Sequence, residues 1–418
     1  MAPSSDLQGL FEGHANKQDF LTAGKVEDAI GLCLSGGGFR AMIYHVGVLV
    51  RLNELGLLSQ IQEVASVSGG SITAGKLAHA WKELRFDDGG VATNFVELVA
   101  VPLLEFASRS IDVKAIVLGL LPGRTAADGI ASAYDRHLFH GASLQDVPDK
   151  PRFTFMATNL QTGSGWRFAK DYAADHRVGR IDRPDLPLAR VVAASSAFPP
   201  FLSPVRLAFA PGSVKPMAGA DLHKAPFKDV AMLTDGGVCD NLGLERIWRR
   251  CRTVLVSNAG KNTPELGSPT GRWGGQLLRT LALVQQQAES SRKRILFGIH
   301  NAGQRKVAYW GIDTPVEDYG VADSLPLTRE ETIITATMRT RLNKFSPSEI
   351  NLLLKAGYAA TDACLRARKF ELAATVASFD RLPLLAERKP TLWELKGRAQ
   401  IRPVPPGVEI AHQDAVGP

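Results

Sequence analysis

Apolar residues fall along this chain in short runs closed by glycine and serine, and between the runs they recur at helical spacing. Residues 29–34 form such a run, which stops at Ser35-Gly36-Gly37-Gly38-Phe39-Arg40. Its length and glycine punctuation predict a buried strand. Met42, Ile43, Val46, Val50 and Leu55 follow at helical spacing as far as Gly56, which suits a helix C′ position. The pattern then repeats. Residues 62–67 predict a second strand, Ser68-Gly69-Gly70 a sharp turn, and residues 72–81 a second helix.

Downstream, residues 153–160 alternate and break at Gly163-Ser164-Gly165, which predicts a strand and a turn. Residues 188–197 read as a helix ended by Phe198-Pro199-Pro200-Phe201, and the Gly-, Pro- and Ala-rich stretch 211–227 as a surface loop or insertion. Residues 230–234 are a further apolar run, leading into Asp235-Gly236-Gly237. A β-branched strand is predicted at 253–258, a helix at about 276–292 and a strand at 306–312. Ser346-Pro347-Ser348-Glu349 is a capping box with proline at N1, opening a helix that runs to about Arg368. Residues 1–25 are polar and aperiodic, and the Pro-rich stretch 390–418 lacks periodicity. Strands alternating with helices predict an α/β fold with a mainly parallel sheet.

The 418 residues, 45% hydrophobic and 22% charged, are an ordinary globular composition with ample core. A net charge of +7 favours anionic partners. The densest basic runs, Arg246/Arg249/Arg250/Arg252 and Arg292-Lys293-Arg294, read as solvated helix ends, so no nucleic-acid partner is expected. Cys33, Cys239, Cys251 and Cys364 have no metal-type spacing and ask for no disulfide. That suits a reducing, cytoplasmic setting. No signal peptide is visible, and no uncharged apolar stretch approaches the ~20 residues that cross a bilayer.

Three glycine-rich turns carry candidate chemistry. Gly36-Gly37-Gly38 leaves backbone amides able to converge on an anion, either a nucleotide phosphate or the oxyanion of a tetrahedral intermediate. The phosphate reading lacks both the G-x-x-x-x-G-K-[ST] and the G-x-G-x-x-G forms. Ser68, at the apex between strand and helix, is a candidate nucleophile, with Gly69 beside it. Asp235, between a strand and two glycines, is a carboxylate that can serve as its base. None of the nine histidines sits in a triad setting, and His45 and His79 read as packing or surface residues.

These turns, in this order, resemble the patatin-like phospholipases. Gly36-Gly37-Gly38-Phe39-Arg40 matches the family's G-G-G-x-[RK], Ser66-Val67-Ser68-Gly69-Gly70 its G-x-S-x-G, and Asp235-Gly236-Gly237 its D-G-[GA]. Ala194-Ser195-Ser196-Ala197-Phe198-Pro199-Pro200 and Gly237-Val238-Cys239-Asp240-Asn241 also run in the family manner. Ser66 stands where the family has its first elbow glycine. The resemblance implies a three-layer α/β/α acyl hydrolase domain over 26–385, with a motif core at 28–260 and a helical C-terminal part at 325–370. It implies a Ser68–Asp235 dyad, an oxyanion hole at Gly36, Gly37 and Gly38 supported by Gly69, and no cofactor or metal. Arg40 is then expected to orient the glycine loop or to meet a phosphate headgroup. The expected partners are phospholipids or other acyl lipids, met at the membrane periphery. A catalytically silent or regulatory membrane- or partner-binding module on the same fold is the alternative. The apolar stretch 91–123, charged at Glu97, Glu105, Arg109, Asp112 and Lys114 but uninterrupted over 116–121, is either a helix pair covering the core or a segment bedding into lipid.

Overall fold

A computed structural model describes residues 26–111, 125–260, 263, 265–370 and 376–386. The arm at 1–25, the apolar run at 116–121 and the tail at 390–418 lie outside the described residues. In chain order, β1 (Glu27–Leu34) leads into α1 (Gly38–Glu54), and β2 (Ile61–Val67) into α2 (Gly69–Ala80). A π-helical turn, Val96–Ala100, continues as α3 (Val101–Ala107), and α4 (Ala126–Tyr134) follows. Next come β3 (Arg152–Asn159), β4 (Gly165–Ala169), β5 (Tyr172–Asp175), β6 (Gly179–Asp182), α5 (Leu188–Ser195), β7 (Val205–Ala208) and β8 (Val230–Asp235). The chain continues with α6 (Gly237–Asp240), α7 (Leu244–Trp248), β9 (Cys251–Asn258), α8 (Trp273–Asn301), β10 (Lys306–Gly311), α9 (Arg329–Thr337) and α10 (Pro347–Ala367).

The strands form one sheet in the order β10-β9-β1-β2-β3-β4-β5-β6. From β10 to β3 every pairing is parallel, which needs crossover segments such as α1 between β1 and β2. Beyond β3 the sheet turns antiparallel through β4, β5 and β6, an extension the hydrophobic pattern did not announce. The hairpin β7–β8 joins separately, with β8 antiparallel to the last residues of β3.

Alternation along the central strands sorts side chains onto two faces. Leu32 and Leu34 of β1, Leu255 of β9, and Ala308 and Trp310 of β10 enter the core under α1 and α10. Cys33, Val254, Val256 and Val307 enter a second core with Leu244 and Ile247 of α7 and Leu296 of α8. Helices therefore cover both faces of the sheet, in the three layers expected.

Every residue of α1 from Phe39 to Asn53 is buried. Its axis crosses α10 so closely that a Cβ on Gly47 would strike the Leu354 carbonyl, and one on Gly357 the Tyr44 carbonyl. The buried Arg51 donates to Asp362 of α10 from Nε at 3.0 Å and from a terminal nitrogen at 2.7 Å. The Ser346–Glu349 capping box is present at the start of α10. In the described part of 91–123, Phe95, Val99, Leu103, Leu104 and Phe106 are buried in the core, while Val96 and Val101 are exposed. The basic run 246–252 is spent on acids: Arg246 and Arg250 on Glu63, and Arg252 on Asp28. Among the described residues no helix is long and apolar enough to cross a membrane.

Candidate active site

The site exists because two strands share one edge of β3. β2 pairs with β3 as far as Val67, opposite Met156. At the next position of β3, Ala157, the partner becomes Asp235, the last residue of β8. β2 runs up this edge and β8 runs down it, so Ser68 and Asp235 leave their strands at adjacent rungs. Both are buried.

Ser68 holds φ 52° and ψ −119°, outside the helix that begins at the next residue. A non-glycine residue at positive φ is costly and persists only where its surroundings fix it. Here α5 does so. Ser68 N–H donates to Ser195 Oγ at 3.1 Å, and Ser195 Oγ donates to the Met156 carbonyl at 2.6 Å. Gly69 and Gly70 give the turn its room. A Cβ on Gly69 would strike the Gly38 carbonyl, and one on Gly70 the Leu34 carbonyl.

The end of α5 holds Asp235 as well. Asp235 N–H donates to the Ala197 carbonyl at 3.0 Å and Gly236 N–H to the Ser195 carbonyl at 3.1 Å. Gly237 N–H donates to Asp235 Oδ1 at 2.7 Å. Burial pushes the Asp235 carboxyl up to about 6, against the downward pull of the Ser68 side chain and the Gly237 amide. The segment 194–200 thus clamps both residues. Its composition marked it in the sequence, but the role of Ser195 did not show, because its partners lie on three other elements.

Ser66 fits without strain. Its hydroxyl accepts from Ser71 Oγ at 3.0 Å, and Ser71 Oγ lies 2.8 Å from Ser195 Oγ. A buried chain of serine hydroxyls runs beneath the turn, and the β-carbon that replaces a glycine hydrogen carries one of its members.

In the glycine loop, Gly36 N–H is committed to the Asn241 carbonyl at 3.0 Å. That corrects the expectation of three converging amides, since Gly36 closes the loop onto the segment after Asp235. Among the described residues, no acceptor takes the N–H of Gly37, Gly38 or Gly69. Gly37 and Gly38 hold φ 141° and 58°. A Cβ on Gly37 would lie 2.7 Å from the Ala259 carbonyl, and one on Gly38 would strike the Thr340 carbonyl.

Arg40 is fully buried. Its guanidinium donates to the carbonyls of Ala336 at 2.5 Å, Met338 at 3.1 Å and Ala259 at 2.8 Å. Burial lowers its pKa to about 10, and it remains a cation at neutral pH. It does not line the cavity, and its guanidinium is spent on carbonyls of the segments that follow β9 and close α9. His45 is buried too: its Nε2–H donates to the Ser35 carbonyl at 3.0 Å, and Ser257 Oγ lies 2.9 Å from Nδ1. Burial lowers its pKa to about 4, so the ring is neutral and braces the loop from behind. His79 does not line the cavity.

Ser68, Asp235, Gly37 and Gly38 open into a cavity of about 580 Å³, bounded on one side by Phe198 and Phe201 and on the other by α8. Glu289 of α8 accepts from the amides of Asn241 at 3.2 Å and Asn258 at 2.7 Å, and from Lys293 Nζ at 2.9 Å. Among the described residues no group of three or more His, Cys, Asp or Glu side chains is arranged to hold a metal.

In this α/β fold, Ser68 at positive φ and the buried Asp235 thus open into one cavity. The family model of the patatin-like phospholipases matches residues 32–248, and the chain belongs to that family. A search of curated proteins found no match. Among solved structures, human GIVD cytosolic phospholipase A2 is similar at 14% identity and a TM-score of 0.47, over 84% of this chain and 62% of that one. VipD from Legionella pneumophila is similar at 15% identity and a TM-score of 0.35, over 82% of this chain and 67% of that one. The type III effector protein ExoU is similar at 13% identity and a TM-score of 0.31, over 82% of this chain and 54% of that one. This chain therefore spans 62% of the length of the human phospholipase chain.

Proposed function

We propose that this chain hydrolyses carboxylic esters of phospholipids or related acyl lipids through a Ser68–Asp235 dyad. The observation that carries the reading is the pairing that sets Ser68 and Asp235 at adjacent rungs of β3, with the buried carboxylate against the Ser68 side chain; burial raises it to about 6, which suits a group that takes and returns a proton. Asp235 accepts the Ser68 proton as Oγ attacks the ester carbonyl. The resulting oxyanion is held by the uncommitted amides of Gly37, Gly38 and Gly69, and each well-aimed donor lowers the barrier by about 3–4 kcal/mol. Asp235 then returns the proton to the departing alcohol, leaving an acyl-enzyme. In the second half Asp235 takes a proton from water, which attacks the acyl carbonyl, and gives it back to Ser68 as the fatty acid leaves. The apolar wall of Phe198, Phe201, Leu278 and Leu281 suits an acyl chain. A lipid substrate requires the chain to meet a membrane at its periphery.

A fluorophosphonate probe and a lipid panel read by mass spectrometry test this. The probe should label the wild-type chain and fail to label Ser68→Ala. Ser68→Ala and Asp235→Asn should each lower turnover by roughly 10³-fold or more, and the double variant should be little worse than either, because the two act as one unit. An unlabelled wild-type chain, or near wild-type turnover in Asp235→Asn, would remove the dyad.

A further inference from the structure

α8 covers the cavity, yet among the described residues little covers α8 itself. Of its 29 residues only Leu296 is buried. One face, with Leu278, Leu281, Gln285 and Glu289 at helical spacing, lines the cavity. The opposite face carries Trp273, Leu277 and Val284, spaced to form a single stripe, and they are 81%, 60% and 60% exposed. Leu283 flanks the stripe, and at the cavity Phe198 and Phe201 are exposed apolar side chains as well. Contiguous apolar surface of this kind marks a contact. Charge indicates with what. From 266 to 288 the sequence holds Arg272 and Arg279 and no Asp, Glu or Lys, on a chain of net charge +7. A tryptophan-led apolar stripe beside arginines, without acids, is the composition of a helix that lies in a bilayer interface.

We propose that the outer face of the first half of α8 docks on an anionic lipid surface. Trp273, Leu277 and Val284 enter the headgroup–acyl boundary while Arg272 meets the phosphates. The cavity face of the same helix then lies beside the lipid that supplies the ester, so the inference rests on the acyl-hydrolase reading. A second copy of the chain fits less well, because a self-complementary contact across this stripe would bring arginine toward arginine. The exposed contact region thus lies on α8.

The test uses the full chain in a Ser68→Ala background, so that vesicles survive, with phosphatidylcholine vesicles containing or lacking phosphatidylglycerol. Trp273→Glu/Leu277→Glu/Val284→Glu should lower partition onto the anionic vesicles by roughly tenfold or more, and Trp273→Phe should keep it. With Ser68 restored, the triple variant should lose vesicle-lipid hydrolysis in proportion, while turnover of a short soluble ester stays within about twofold. The three side chains are exposed, so the variant should melt like the wild type. Unchanged vesicle partition in the triple variant would overturn the docking surface. So would a wild-type chain that cleaves the soluble ester but does not bind vesicles, which would leave the hydrolase reading standing. Vesicle binding lost in the triple variant of a chain that cleaves no ester would sink the hydrolase reading and keep the surface. A wild-type dimer that the triple variant breaks, with vesicle partition untouched, would assign the face to a second copy.

Discussion

At the scale of single residues, the site sets stability against chemistry. Asp235 sits where burial raises its carboxyl from 3.8 to about 6. The folded chain therefore holds that proton more tightly than the unfolded chain does. The stability this group contributes is fully present below the ordinary carboxylate range and is lost as pH rises from about 4 through about 6. Above that window the ionised carboxylate is a buried cost. Asp235→Asn should then melt higher than wild type at pH 7.5, by an amount equivalent to at most about 3 kcal/mol, and the two curves should converge near pH 4. Activity should move the other way, with kcat/KM rising through pH 6 as the base ionises. Thermal melts and a pH–rate profile check both signs, and an Asp235→Asn chain less stable than wild type at every pH would contradict the argument.

Among the elements, the glycine loop is held by groups far away in sequence. Arg40 opens α1, yet its acceptors are the carbonyls of Ala259, Ala336 and Met338, at the ends of β9 and α9. Lysine at this position keeps the charge but not the fork, and cannot reach all three. Each buried carbonyl left without a donor costs about 1–3 kcal/mol. Arg40→Lys should destabilise the chain by roughly 2–4 kcal/mol. Its kcat should also fall, since a Cβ on Gly37 would already lie 2.7 Å from the Ala259 carbonyl that Arg40 positions. Denaturant melts and turnover of a soluble ester read the two effects separately. A variant with wild-type stability would show that the carbonyls find other donors.

The whole molecule is larger than its motifs. The family model ends at residue 248, before β9 and β10 and before α10. Yet β9 is the partner of β1 on the edge away from β2, and α10 is the surface against which α1, buried from Phe39 to Asn53, packs. A chain ending at residue 325 keeps the Ser68 and Asp235 turns but strips α1 of that cover and leaves Arg51 without Asp362. It should be insoluble or melt without cooperativity, and the fluorophosphonate probe should not label it. In the full chain, Gly357→Val should act in the same direction by driving α1 and α10 apart where the Tyr44 carbonyl has no room for a Cβ. Retained probe labelling in the truncated chain would place the folding unit within 325 residues.

By itself the sequence determined what local physics controls. Apolar runs closed by glycine set β1, β2 and β8, a β-branched run set β9, the Ser346–Glu349 box set the start of α10, and Gly56 marked the end of α1. It also put Ser68 and Asp235 each at the end of a strand, because backbone turns that tight need glycine beside them. Two local estimates fell short of the structure. The helix predicted at about 276–292 runs from Trp273 to Asn301, since nothing in that span breaks it, and the sheet beyond β3 is antiparallel. Only the tertiary structure decided which groups meet. That β8 descends the edge of β3 that β2 ascends, that Ser195 caps the Ser68 amide, that Gly36 is already bonded and that Arg40 is buried are all contacts between residues far apart in the chain. Periodicity reports which face of an element is apolar, and it carries no record of which other element will cover that face, or of whether, as on α8, anything among the described residues covers it at all.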